Sequence, residues 1–343
     1  MRKEKSLKVL GCGALNLDII YEVEDLEAIR SEGWPLFPGR EISGSHEDAE
    51  KLVALLEQKG SLLAKSGGGS AANTICALSA LGHKGYFLGI VGEDVQGETV
   101  LNSMKGVDPS FIEKKGRTAI CIVVLEQKSR DRAMFVAPSA YLPKKAQRDV
   151  KHYLQNFDLI HFSSLVHDQG IEFQSDLAKL QTSQQLVSLD PGELYATKGF
   201  HVLKDLLSKI SLLFITTVEV EMMTNVSVEA GLDQILPCLL PKRAMQEQFV
   251  ALKEGGGALV ACKKGAEGAC FVGVNGVKYC EPAQKLDHIV DNTGAGDGFN
   301  AGFIDGLLKG NSPQACLRSG VQLAAKSLLT FGREYLTTLH TKG

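Results

Sequence analysis

Six short apolar runs, at 8–12, 85–91, 158–162, 185–189, 212–216 and 258–262, alternate along the chain with stretches of helical spacing at 73–81, 171–180, 201–210, 244–253 and 298–308. A short apolar run closed by glycine or polar residues is the pattern of a strand buried on both faces. Strands of that kind, each followed by a helix, pair in parallel, because a parallel connection has to cross over the sheet. The expectation is an α/β fold with three α/β/α layers around a doubly wound, mainly parallel sheet. At 343 residues the chain is long enough to build it as a single domain over 1–343.

Two segments break this rhythm. Residues 118–125 and 132–136 read as an antiparallel pair joined by the polar turn 126–131, which predicts a small β lid over about 118–136. Residues 22–65 form a long insertion. Its Pro/Gly-rich part, with Trp34, Pro35, Pro38 and Gly39, leads into a helical stretch at 46–58 with Leu52, Val53, Leu55 and Leu56 on the apolar side. Such a length suits a cover over a substrate site, and it equally suits a plain surface insertion.

Charge and composition exclude several classes. Lys and Arg number 37 against 40 Asp and Glu, a net charge of −3, so nothing draws the whole molecule to nucleic acid or to an anionic membrane. The most apolar N-terminal stretch, 9–20, is broken by Gly11, Gly13, Asn16 and Asp18, and no run reaches the length of a membrane span. A soluble cytoplasmic protein is expected. The eight cysteines form no C-x-x-C pair and the histidines no H-x-x-H pair, which argues for free thiols and against a transition-metal site.

The chemistry concentrates at 291–302, Asp-Asn-Thr-Gly-Ala-Gly-Asp-Gly-Phe-Asn-Ala-Gly. Gly294 and Gly296 let the backbone turn tightly into a helix, so that successive N–H groups at the helix start can converge on a phosphate. Asp297, in the first helical turn, is placed to take the proton of a hydroxyl attacking that phosphate.

This D-x-x-G-x-G-D string resembles the C-terminal signature of the ribokinase family, the phosphofructokinase-B type of ATP-dependent carbohydrate and nucleoside kinases. Gly67-Gly68-Gly69-Ser-Ala-Ala-Asn73 resembles the same family's N-terminal signature, and Asn16-Leu-Asp18 its substrate-binding N-x-D. The resemblance runs from Val9 to about Gly332. It implies ATP as donor, Mg²⁺ bridging the phosphates, Asp297 as catalytic base, and Gly294, Ala295 and Gly296 as the anion hole. On the acceptor side it implies Asn16, Asp18, Gly68, Gly69 and Asn73. Gly265 and Gly268 match the nucleotide loop, and Glu219 matches the acid that acts on Mg²⁺ through water. Asp291, Thr293 and Gly332 occupy candidate positions for a monovalent cation such as K⁺.

The chain departs from the family pattern at three places. Thr216 stands where the family has asparagine, three residues before Glu219, with Glu221 a poorer substitute for the acid. Lys263 replaces a threonine two residues before Gly265; it either alters the phosphate contacts or points to solvent, and the second is expected. The segment 190–195, Asp-Pro-Gly-Glu-Leu-Tyr, lacks the D-P-N-x-R of fructokinase-like relatives.

The resemblance thus points to an ATP-dependent kinase acting on a hydroxyl of a sugar or sugar derivative. A nucleoside is the rival acceptor, since the 22–65 insertion resembles the adenosine kinase branch and Trp34 and Phe37 offer a slot for a base. The basic lid stretch with Arg130 and Arg132 instead suits a phosphosugar. A catalytically silent sugar- or nucleotide-binding regulator is the rival from another class, and self-association as a homodimer stays open. A dinucleotide-binding dehydrogenase is disfavoured, because Gly11 and Gly13 are followed by Asn16 where the fingerprint needs glycine.

Overall fold

The protein is described here by a computed structural model covering residues 6–129, 131–143 and 153–339, so that Arg130 lies outside the described residues. From edge to edge the main sheet runs Lys278–Glu281, Ala269–Gly273, Leu259–Lys263, Leu212–Thr216, Leu186–Asp190, Leu159–Ser163, Lys8–Cys12, Lys84–Val91 and Val107–Asp108, with Ile112–Lys114 pairing further along Lys84–Val91. Neighbours from Leu259–Lys263 to Val107–Asp108 are parallel. The last two strands are antiparallel, because only the tight loop 264–268 separates Leu259–Lys263 from Ala269–Gly273 and leaves no room for a crossover helix.

The chain starts in mid-sheet, winds outward through Lys84–Val91, and then returns to the other side of Lys8–Cys12 to wind outward again through Leu159–Ser163. Strand order therefore reverses between Lys8–Cys12 and Leu159–Ser163. In open α/β sheets ligands collect in the crevice beyond the carboxyl ends of strands at such a switch point. Asp190, Thr216 and Lys263 all end strands on that edge.

A second sheet has the order Glu41–Ser43, Arg132–Ala137, Ala119–Glu126, Asn16–Val23 and Ser61–Gly68. The expected hairpin is present, and the structure adds three strands to it. Asp18 does not continue the first strand, which ends at Cys12; it lies inside Asn16–Val23. That strand is buried on both faces, and its period of two sorts its residues. Leu17, Ile19, Tyr21 and Val23 join the main core, with Leu52 and Leu56 of the helix His46–Lys59, while Ile20 packs with Cys121, Val123 and Val136. Asp18 shares the parity of Ile20, and a one-residue slip would move it into the apolar core.

The insertion is thus woven into the second sheet. Its strands extend the sheet on either side, and its helix, started by a Ser45/Asp48 capping box, covers one face. The expected helix 244–253 is interrupted: a 3₁₀ turn spans Arg243–Met245, and helix resumes only at Val250–Glu254, because the extended Phe249 turns its ring into the core.

The expectation of eight free thiols is corrected. Cys270 and Cys280 face each other across the antiparallel pair Ala269–Gly273 and Lys278–Glu281 and form a disulfide, a consequence of strand register that sequence spacing does not show. Cys12, Cys76, Cys121, Cys238, Cys262 and Cys316 are free. Among the described residues no helix is long and apolar enough to cross a membrane.

Candidate active site

The helix Ala295–Leu308 starts at the cleft edge of the main sheet, capped by Gly294 in the left-handed region at φ +79°. The first intrahelical bond, from Gly298 N–H to Gly294 O at 2.9 Å, leaves the amides of Ala295, Gly296 and Asp297 without a partner inside the helix. Three adjacent donors at the positive end of a helix dipole suit an anion.

Asp297 is buried in the same turn. Ser70 Oγ donates to its Oδ1 at 2.5 Å and Asn73 Nδ2 to its Oδ2 at 2.8 Å, both from the first turns of the helix Ser70–Ala80. Burial pushes its pKa up to about 6, against the pull of these two bonds, with Asp190 adding to the rise and Lys263 opposing it. A carboxylate so poised both holds a defined orientation and accepts a proton more readily than an exposed aspartate.

Of the residues expected on the acceptor side, Asp18 and Asn73 line one cleft, and Asn16, Gly68 and Gly69 are not among its lining residues. Asp18, Ser66, Gly67, Asn73, Asp291, Thr293, Gly294, Gly332 and Arg333 line it together, with Ile20 and Tyr335 as its apolar members. Asp18 Oδ1 and Asn16 Oδ1 are buried without hydrogen-bond partners. Gly68 pairs with Asn16 across the sheet, and Gly69 caps the helix carrying Asn73 at φ +99°. Burial raises the Asp18 pKa to about 7, Arg333 lowers it, and Asp291, Asp297 and Glu41 add to the rise. Glu41, from the insertion, is likewise raised to about 7, by burial and then by Glu193.

On the other side, Thr216 caps the helix Thr217–Thr224 in a capping box: its hydroxyl accepts from Glu219 N–H at 3.1 Å, and Glu219 Oε2 accepts from Thr216 N–H at 2.8 Å. Threonine and asparagine are both good N-caps, which accounts for the replacement at 216. Glu219 is partly buried with Oε1 left over, and burial followed by Asp190 holds its carboxyl above the usual range. Glu221 is exposed. Gly265 and Gly268, both at positive φ, shape the loop after Lys263.

Lys263 departs from expectation. Its side chain is 12% exposed and turns inward, with Nζ 2.5 Å from Asp190 Oδ2, because Asp190, two strands away on the same sheet edge, draws it across. Asn300 Nδ2 donates to the same oxygen at 2.6 Å. Although burial opposes ionisation of both, the Lys263 ammonium holds the Asp190 carboxyl below its ordinary pKa, and Asp190 and Glu219 hold Lys263 above its own.

Asp291 Oδ2, Asn292 Oδ1 and Thr293 Oγ1 are buried and unpaired, although Asp291 Oδ1 accepts from Thr293 N–H at 2.8 Å. An oxygen-only donor set near Gly332 suits a hard cation.

Sequence reasoning missed four residues here: Ser70, Asp190, Asn300 and Arg333. Arg333 Nε donates to Asn73 Oδ1 at 2.8 Å, Nη1 to Ser103 Oγ at 2.7 Å and Nη2 to Gly68 O at 3.0 Å. Ser70 and Asn300 lie inside the quoted motifs, whereas Arg333 follows Gly332 in a segment that matches the family pattern only loosely. The aromatic slot is not formed as expected: Trp34 packs edge-on against Phe135, and Phe37 is 52% exposed beneath Arg30. Arg132 reaches the other way, donating from Nη1 to Asn292 O at 3.3 Å.

Residues 48–338 match the family described as pfkB family carbohydrate kinase. An uncharacterized sugar kinase of Archaeoglobus fulgidus is 28% identical over 258 residues, covering 74% of this chain and 95% of its own. Ketohexokinase of Mus musculus is 25% identical over 264 residues, covering 76% and 83%. Among solved structures, adenosine kinase from Sinorhizobium meliloti superposes with a TM-score of 0.80 at 19% identity over 98% of both chains. Ribokinase of Arabidopsis thaliana superposes at 0.69 and 18% identity, covering 99% and 100%.

Proposed function

The chain belongs to the pfkB family of carbohydrate kinases, and from that premise we propose that it transfers the γ-phosphoryl group of ATP to a hydroxyl of a sugar or sugar derivative, with Asp297 as the base. The class of enzyme, a phosphotransferase with an alcohol group as acceptor, follows from the family. The observation that carries the reading is Asp297 itself, a buried carboxylate fixed by Ser70 and Asn73 beside the free amides of a helix start.

In the proposed reaction Asp297 takes the hydroxyl proton as the acceptor oxygen bonds to the γ-phosphorus. The bond from that phosphorus to the β–γ bridging oxygen breaks, and its electron pair leaves on ADP. The Ala295 and Gly296 amides face the charge gathering on the transferred group. Glu219, with one oxygen free of its capping box, suits a water-mediated hold on Mg²⁺, which would neutralise phosphate charge. The unpaired oxygens of Asp291 and Thr293 suit K⁺, which would tie the loop that carries the hole.

A polar acceptor fits the cleft better than a flat base, since Asp18, Ser66 and Asn73 line it and neither Trp34 nor Phe37 does. Ile20 and Tyr335 favour the second reading, a nucleoside, through the apolar surface they give the cleft. The second sheet, including strands from 22–65, serves in both readings as the lid.

The test is ADP release from Mg-ATP against a panel of free sugars, sugar phosphates and nucleosides, with Asp297→Asn as the blank. Turnover of a sugar class, lowered about 10²–10⁴-fold in the variant, supports the reading. Nucleoside-only turnover replaces the acceptor, and full activity in the variant removes the base.

A further inference from the structure

The structure carries a cation that the reaction above does not use. Lys263 ends its strand at the carboxyl edge of the main sheet, paired in register with Thr216 on the neighbouring strand. Its Nζ lies 3.3 Å from the point where a Cβ on Gly296 would stand, so the ammonium sits against the glycine turn that presents the anion-binding amides. The charge acts on both Asp297 and Glu219, the two carboxylates to which the proposed reaction gives roles.

An ammonium has three N–H donors. Among the described residues Lys263 uses one, to Asp190 Oδ2. Asn300 holds that same oxygen, so Asp190 keeps a hydrogen bond if the ammonium turns partly away. Burying a lysine with one carboxylate gains little stability, because desolvation of the two charges offsets most of their attraction. The arrangement fits a cation kept ready for a second, transient anion.

We propose that Lys263 donates to a non-bridging oxygen of the transferred phosphoryl group, with Asp190 and Asn300 as the positioning pair that aims it. Lysine thereby adds a mobile positive charge to the fixed amide donors at the spot where the resemblance places an uncharged threonine. The inference rests on the kinase reading.

Calorimetric titration with Mg-ATP and Mg-ADP without acceptor, followed by steady-state kinetics, tests it on wild type, Lys263→Met, Lys263→Arg and Asp190→Asn, each checked by thermal melting. Lys263→Met is expected to lose about 10²–10³-fold in kcat, the scale for removing one transition-state donor. It should also lose most of its preference for ATP over ADP, with Lys263→Arg restoring part of both. Asp190→Asn should cost less in kcat than Lys263→Met, because the ammonium remains. Equal losses in Lys263→Met and Asp190→Asn, with equal drops in melting temperature and no rescue by arginine, would make the pair a structural tie and overturn the proposal. Wild-type turnover with unaltered kcat and ATP preference in Lys263→Met overturns it while leaving the kinase reading intact. A wild type that binds no Mg-ATP removes the kinase reading and this inference with it.

Discussion

The Cβ that Gly68 lacks would stand 2.0 Å from Oδ2 of Asp18. The two residues lie on neighbouring antiparallel strands, and the bare backbone at 68 is what lets both oxygens of the Asp18 carboxylate lie against the strand, with Oδ1 buried and unpaired. Gly68→Ala therefore has to push Asp18 off its position. Overpacking of this kind costs about 1–3 kcal/mol, which corresponds to roughly 5- to 150-fold in acceptor KM if Asp18 grips the acceptor hydroxyls. Mg-ATP affinity should stay near wild type. An acceptor KM within twofold of wild type would detach Asp18 from acceptor binding.

The pH profile follows from the raised carboxyls. A base acts only when deprotonated, so kcat/KM should fall as pH drops through about 6, where Asp297 gains its proton. Stability moves the opposite way. Asp297 at about 6, with Asp18 and Glu41 at about 7, binds protons more tightly folded than unfolded. Stability is then fully supported below the unfolded carboxyl range and declines as pH rises from about 4 to 7. Ligand-free melting at pH 5 and pH 8 checks the sign, and Asp18→Asn should flatten the difference. A melting temperature that rises steadily from pH 5 to pH 8 would contradict this account.

What was legible in the sequence was what is local. Asp297, Gly294 and Asn73 sit in strings short enough that one turn of backbone fixes their relation, and the parallel sheet follows from six buried runs. What was illegible depends on distant partners. Asp190 and Asn300 are 110 positions apart, and Arg333 reaches Asn73 across 260. The inward turn of Lys263 follows from a carboxylate two strands away, and no spacing rule contains that. Asp18 is in the cleft because of the alternation within Asn16–Val23, a strand of the second sheet that no motif in the sequence marks.

Arg333 fixes which way Asn73 points. With Nε on the amide oxygen, Asn73 has to offer its NH₂ to Asp297. Arg333→Ala frees that choice and removes the side-chain donor from Asn73 Oδ1 and Gly68 O, while Ser103 Oγ keeps its bond to Val100 O. The expected cost is about 1–3 kcal/mol in stability, together with a fall in kcat as the base loses its orientation. Arg333→Lys should recover stability more than turnover, since one ammonium cannot match the three-way fork. Chemical denaturation and steady-state kinetics separate the two, and equal recovery of both would reduce Arg333 to a packing residue.

The disulfide ties the strand after the proposed nucleotide loop to the sheet edge. Cys270 and Cys280 are 10 residues apart, and closing a loop of that size is worth roughly 2–3 kcal/mol through the unfolded chain. Gly268 sets how closely the loop lies on the far strand, since a Cβ there would come 2.1 Å from Glu281 O. Cys280→Ser, or reduction of the wild type, should lower the melting temperature. It should also raise KM for Mg-ATP more than for the acceptor, because the loosened hairpin directly follows the loop with Gly265 and Gly268 while Asp18 and Asn73 sit on other elements. A shift confined to the acceptor KM would show that the hairpin and the nucleotide loop move independently.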